Sequence, residues 1–165
     1  MYQYDIACFL NNDHMLRTPN CTLSSVRGIL CARNFSYKNL ADFPSGTSIR
    51  LPIGYFTLGP AYCNNTPFEK YADVYVNAWS AVKDLVQRCC SRGIGVLLDM
   101  HALPGGANGG DHSGTNSGKP ELWGSRKNLD LATRSLLFLA HEAKGLGGVI
   151  GIQIVNESEY NAKGK

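Results

Sequence analysis

Residues 94–101 read Ile94-Gly95-Val96-Leu97-Leu98-Asp99-Met100-His101, seven apolar-dominated positions running into one histidine. The run carries apolar side chains on both faces and is β-branched at its start, the pattern of a strand buried on both sides in a parallel sheet. Immediately before it, Val76, Trp79, Val82, Leu85, Val86 and Cys89 recur at steps of three and four, an amphipathic helix that stops at Gly93. Thr66-Pro67 upstream is the order favoured for an N-cap and first helical position. Further back, Ser48-Ile49-Arg50-Leu51-Pro52-Ile53 lies between Gly46 and Gly54 and reads as a shorter strand. Downstream, residues 102–127 form a long loop rich in Gly, Ser, Asn and Asp. Leu129, Leu131, Leu136, Leu137, Leu139 and Ala140 then mark a second helix, closed by Gly145. Val149-Ile150-Gly151-Ile152-Gln153-Ile154-Val155 is another doubly apolar run, leading straight into Asn156-Glu157. The order strand, helix, strand, helix, strand predicts right-handed parallel crossovers and an α/β class.

The chain has 165 residues, enough for one domain with a substantial core, whereas a complete eight-stranded α/β barrel needs at least ~200. Sixteen Lys and Arg against thirteen Asp and Glu leave a net charge of +3, too weak a field to argue for nucleic acid. No apolar run approaches the 18 residues of a membrane span. The N-terminus, Met1-Tyr2-Gln3-Tyr4-Asp5, lacks the basic and apolar regions of a secretory signal, so an intracellular setting is the default and secretion requires a different N-terminus. The six cysteines, Cys8, Cys21, Cys31, Cys63, Cys89 and Cys90, match no small disulfide scaffold, and reduced thiols are expected. Residues 1–46 show little periodicity beyond a weak helical look over Tyr37 to Phe43, and form a poorly defined segment ahead of the unit at 47–165.

Polar groups gather where the three strands end: Arg50 near the end of the first, His101 at the end of the second, Asn156-Glu157 at the end of the third. Parallel α/β sheets bind ligands at the carboxyl ends of their strands. Each residue alone has a plainer reading: Arg50 in an ion pair, His101 as a satisfied strand-end histidine, Glu157 at the start of a solvated loop. Three successive strands delivering such groups to one edge favour a site. With no Ser or Cys nucleophile beside them, a carboxyl near a cation and an amide suits general acid work on a glycosidic oxygen. Trp123 and Tyr55 are candidates to stack on sugar faces, or else core residues.

Three motifs carry a resemblance: Arg50-Leu51-Pro52-Ile53-Gly54-Tyr55, Leu98-Asp99-Met100-His101-Ala102-Leu103-Pro104-Gly105-Gly106 and Ile154-Val155-Asn156-Glu157. Together they resemble fungal enzymes of glycoside hydrolase family 5, most nearly the exo-β-glucanase or glucan β-glucosidase branch. The resemblance implies an incomplete (β/α)8 TIM barrel holding about strands two to four with their helices. It implies retaining hydrolysis of β-glucan without a cofactor or metal, with Glu157 as acid/base and Arg50, His101 and Asn156 binding the sugar. The partner implied is a β-glucan or oligosaccharide. In that family the nucleophile is a glutamate near the seventh strand, and no residue of this chain takes its place. Asp99 is expected to be structural, and Asp111 and Glu159 solvated loop charges. The alternative is a non-catalytic fragment that binds glucan without cutting it, or an inactive truncated relative.

Other motifs fail on their own terms. Gly114-Thr115-Asn116-Ser117-Gly118-Lys119 lacks the opening glycine of a phosphate loop, having Ser113 there, and has Pro120 where Ser or Thr should follow. The glycines at Gly145, Gly147 and Gly148 precede a strand, whereas a dinucleotide fingerprint follows one. Asp99, His101, Asp111 and His112 offer metal ligands, but their spacing matches no defined metal signature.

Overall fold

The computed structural model describes residues 3–5, 47–115 and 117–159. Four strands form one parallel sheet in chain order: β1 Gln3–Asp5, β2 Ser48–Gly54, β3 Gly95–Ala102 and β4 Val149–Gln153. Helix α1, Ala78–Cys90, connects β2 to β3, and α2, Arg126–Gly145, connects β3 to β4. The strand-helix alternation expected from 47 onward is therefore present, and so is the parallel sense of pairing.

Residues 1–46 contribute what the sequence did not announce. Gln3–Asp5 pairs in parallel with Ser48, Ile49 and Arg50, giving the sheet a strand ahead of the three expected. Three residues are too few for any alternation to register. The helical look over 37–43, and Cys8, Cys21 and Cys31, lie outside the described residues.

The core lies where α1 covers β2 and β3. Ile49, Leu51 and Ile53 from β2 and Val96, Leu98 and Met100 from β3 are buried, and α1 presents Ala78, Trp79, Val82, Leu85, Val86 and Cys89 to them. Each large aliphatic side chain buried this way contributes about 1.5–3 kcal/mol. Helix α1 ends as Gly93 predicts. With φ 70 at Gly93, Ile94 N–H donates to Cys89 O and Gly93 N–H to Cys90 O, both at 3.0 Å. This paired closure satisfies the last carbonyls and turns the chain directly into buried Ile94 and β3.

Three parts of the reading are corrected. Val76 is exposed and precedes the helix, because Thr66-Pro67 opens a run of turns and the 3-10 segment Glu69–Tyr75 rather than α1 itself. Thr66 nevertheless caps locally, its Oγ1 accepting from Phe68 N–H at 3.1 Å. Helix α2 begins earlier than its leucines suggest, at a Ser125 cap that accepts from Asn128 N–H at 3.3 Å. Its buried positions are Leu131, Ala132, Ser135 and Leu139, so Leu137 and Ala140 fall on the solvent side. Finally, the run is not buried on both faces: Ile150 in β4 is 54% exposed and Ile154, just past its end, 64%, since β4 is the outer strand of the described sheet.

Candidate functional site

Register places the polar groups on one face. Arg50 pairs with Leu97, Pro52 with Asp99, and Asp99 with Gln153. Side chains alternate along a strand, so Arg50, Asp99, Gln153 and, two residues after Asp99, His101 project to the same side. Asp99 is fully buried, and a buried carboxylate must be paired. Its Oδ2 takes both partners: Arg50 Nη2 at 2.8 Å and His101 Nδ1 at 2.7 Å. Its Oδ1 has no partner among the described residues.

The network then spreads to the end of β4 and the residues after it. Arg50 Nε donates to Gln153 Oε1 at 3.1 Å, and Arg50 Nη2 donates to Asn156 Oδ1. Gln153 in turn donates through Nε2 to Val155 O at 3.2 Å, which fixes its amide orientation. Asn156 is buried, and its Nδ2 lies 3.5 Å from His101 Nε2. In the neutral imidazole, these contacts place the proton on Nδ1 facing Asp99 and the lone pair of Nε2 toward the Asn156 amide. The result is a cation–carboxylate–imidazole–amide cluster running from Arg50, which lies in the first half of β2 and not near its end as the sequence suggested, through the second half of β3 to Asn156 just past β4.

Glu157 follows Asn156 directly, with a left-handed backbone (φ 44) and a carboxyl that is 67% exposed. Its Oε2 is 3.1 Å from His112 Nε2, and its carbonyl accepts from Asn108 Nδ2 at 2.8 Å. The His112 ring lies 5.2 Å from the ring of His101, tilted by 49°. The loop carrying Asn108 and His112 is folded back on β3 through Leu103 N–H to Ser113 O at 2.9 Å. Gly114 (φ 108) permits that close approach, because a Cβ there would lie 2.1 Å from Leu103 O.

Arg50, His101 and Asn156 are thus brought into contact, and Glu157 stands beside them, joined through the chain at Asn156 and through His112. Asp99 acts as the buried counter-ion that holds Arg50 and His101, and Asp111 and Glu159 are exposed. Tyr55 is no sugar platform. It is buried in an aromatic cluster, 5.3 Å from Phe56 and 5.7 Å from Phe68. Trp123 is 48% exposed, with Nε1 donating to Ala107 O at 3.1 Å. Among the described residues, no three His, Cys, Asp or Glu side chains are grouped to hold a metal ion. Nor is any helix there long and apolar enough to cross a membrane. Sequence reasoning missed Gln153 and Asn108, and considered His112 only as a possible metal ligand. Gln153 had a signal, as the one polar residue in the Val149–Val155 run, whereas the loop residues had none.

No family model matches the chain. It is 41% identical over 111 residues to glucan 1,3-beta-glucosidase 3 of Schizosaccharomyces pombe, covering 67% of this chain and 24% of that protein. It is 35% identical over 126 residues to an uncharacterised glycosyl hydrolase of Saccharomyces cerevisiae, covering 72% of this chain and 25% of that one. The chain therefore spans about a quarter of the length of these curated relatives. Among solved structures it is similar to rutinosidase from Aspergillus niger, with a TM-score of 0.62 over 93% of this chain and 41% of that one. At 13% identity, that likeness concerns the fold alone. The relationship to glucan β-glucosidases read from the three motifs is borne out by relatives bearing the names glucan 1,3-beta-glucosidase and glycosyl hydrolase.

Proposed function

We propose that this chain is the acid/base-bearing part of a retaining β-glucan hydrolase of glycoside hydrolase family 5, built as a (β/α)8 barrel. Residues 47–165 supply the second, third and fourth barrel strands with their helices, and Gln3–Asp5 occupies the place of the first. The substrate is a β-glucan cut at a terminal glucosidic bond. The observation that carries this reading is the Arg50–Asp99–His101–Asn156 cluster, contributed by β2, β3 and the segment after β4, directly beside Glu157.

The chemistry follows from the geometry. Arg50 and Asn156 present fixed donors to sugar hydroxyls, and a group already held by its neighbours loses little freedom when substrate binds. Glu157 protonates the leaving glycosidic oxygen as the C1–O bond breaks, then takes a proton from the water that attacks C1. The nucleophile belongs to a later strand of the barrel. Asp99 does not take that role, because it is fully buried and bound on one oxygen by both Arg50 and His101.

Glu157→Gln in the full-length protein tests the reading. Glucose release from β-glucan should fall by about 10²–10⁴-fold, the usual worth of a general acid/base, while glucan binding persists. Unchanged glucose release would contradict it, and binding by a protein that never releases glucose would favour a non-catalytic glucan binder.

A further inference from the structure

Glu157 has little of its own to define where its carboxyl points. It is two-thirds exposed, and its left-handed backbone is one that non-glycine residues adopt only when their surroundings impose it. The surroundings here are one loop, which meets the acid/base segment at three points. Asn108 Nδ2 donates to the Glu157 carbonyl at 2.8 Å, Glu159 N–H donates to Ala107 O at 3.1 Å, and His112 Nε2 lies 3.1 Å from Glu157 Oε2. The first two contacts fix the main chain on either side of Ser158. The third fixes the side chain.

His112 is itself seated. Its ring lies against His101, 5.2 Å between centroids, and over Gly110, where a Cβ would come within 2.7 Å of His112 Cε1. Asn108 Oδ1 accepts from Gly110 N–H at 2.8 Å, which closes the turn beneath the ring. The ring's place thus depends on Gly110 having no side chain.

We infer that His112 is a positioning residue for Glu157: it engages Oε2 and so leaves Oε1 to face the glycosidic oxygen. This rests on the reading of Glu157 as acid/base. In the first step the Oε1 proton passes to the leaving oxygen while Oε2 stays bound to His112. In the second, Oε1 receives a proton from the attacking water. His112 exchanges no proton with substrate in either step.

The test compares two substrates on the full-length protein. A 2,4-dinitrophenyl β-glucoside has a leaving group that departs without protonation, whereas a β-glucan oligosaccharide needs a proton delivered. His112→Ala should lower kcat/KM for the oligosaccharide by about ten-fold, part of the worth of the general acid, and leave the dinitrophenyl glucoside within two-fold. Gly110→Ala, whose Cβ would press on the His112 ring and on Asn108 Oδ1, should shift the same ratio in the same direction. His112→Gln, which puts an amide N–H donor in place of the ring N–H, should restore part of the loss. An equal fall on both substrates, or no fall on either, would overturn the inference. Glu157→Gln run beside them separates the two claims. If that variant lacks the oligosaccharide-selective loss, the acid/base assignment fails and this inference with it. If it shows the loss and His112→Ala does not, only the positioning role fails.

Discussion

Asp99 is the residue on which the cluster depends. Replacing it with alanine removes the buried carboxylate oxygen that holds both Arg50 and His101 in a largely dry site. Breaking a buried ion pair from one side costs roughly 3–5 kcal/mol. Asp99→Ala should therefore lower unfolding free energy by about that amount in a urea titration; a change below 1 kcal/mol would show that Asp99 does not hold the cluster. The cysteines give a second check at this scale. Burial pushes the Cys63 and Cys89 thiols up from 9.0 to about 11, while Cys90 is exposed. Only the thiolate reacts. Peptide-resolved alkylation of the native protein at pH 8 should modify Cys90 and spare Cys63 and Cys89. Stability should fall as pH climbs from 9 toward 11, where the unfolded thiols ionise before the buried ones. His101 and Asn156 were legible because they sit at or just past a strand end, and Arg50 because it is the one charge in the apolar run of β2; the role of His112 beside Glu157 was not, because it reaches across an irregular loop from 45 residues away.

Between elements, Glu142 of α2 ties the two helices, meeting both Trp79 and Lys83 of α1. Trp79 Nε1 on α1 donates to Glu142 Oε2 on α2 at 2.7 Å, and Phe138 of α2 packs edge-on against the same indole at 5.5 Å. The indole N–H, with Lys83 also nearby, holds the Glu142 carboxyl below its ordinary range. A carboxylate lowered in the folded state adds stability that is present above its unfolded value and lost as pH falls through its folded one. Glu142→Ala should cost about 1 kcal/mol at pH 7, water around the carboxylate keeping the effect small, and the cost should shrink as the buffer is taken well below pH 4. A pH-independent cost would mean that packing, not the charged bond, ties the helices. Helix ends were legible where a residue type has one physical use, as Gly93 does. The faces of α2 were not, because buried Ser135 bonds its own backbone at Leu131 O, 2.9 Å away, and so hides a core position behind a polar name.

Over the whole molecule, the parallel α/β order was readable from the doubly apolar run at β3 and the two helical periods. The strand at Gln3–Asp5 was not, having too few residues to show a period. The burial of β4 was over-read, since apolar composition says what a strand can be packed against and not whether anything packs there. Ile150 stands exposed on that outer strand and Ile154 just past its end. In the proposed barrel, the neighbouring β/α units cover them and bring the nucleophilic carboxylate within the ~5 Å that retaining chemistry requires of its pair.

The most direct test of the acid/base assignment is chemical rescue of Glu157→Ala in the full-length protein, with a 2,4-dinitrophenyl β-glucoside and added azide. An absent acid/base leaves the glycosyl-enzyme able to form but slow to break down, and azide can then attack without a base. The account predicts faster turnover and a β-glucosyl azide product. An α-glucosyl azide, the signature of a missing nucleophile, or no rescue at all, would contradict it.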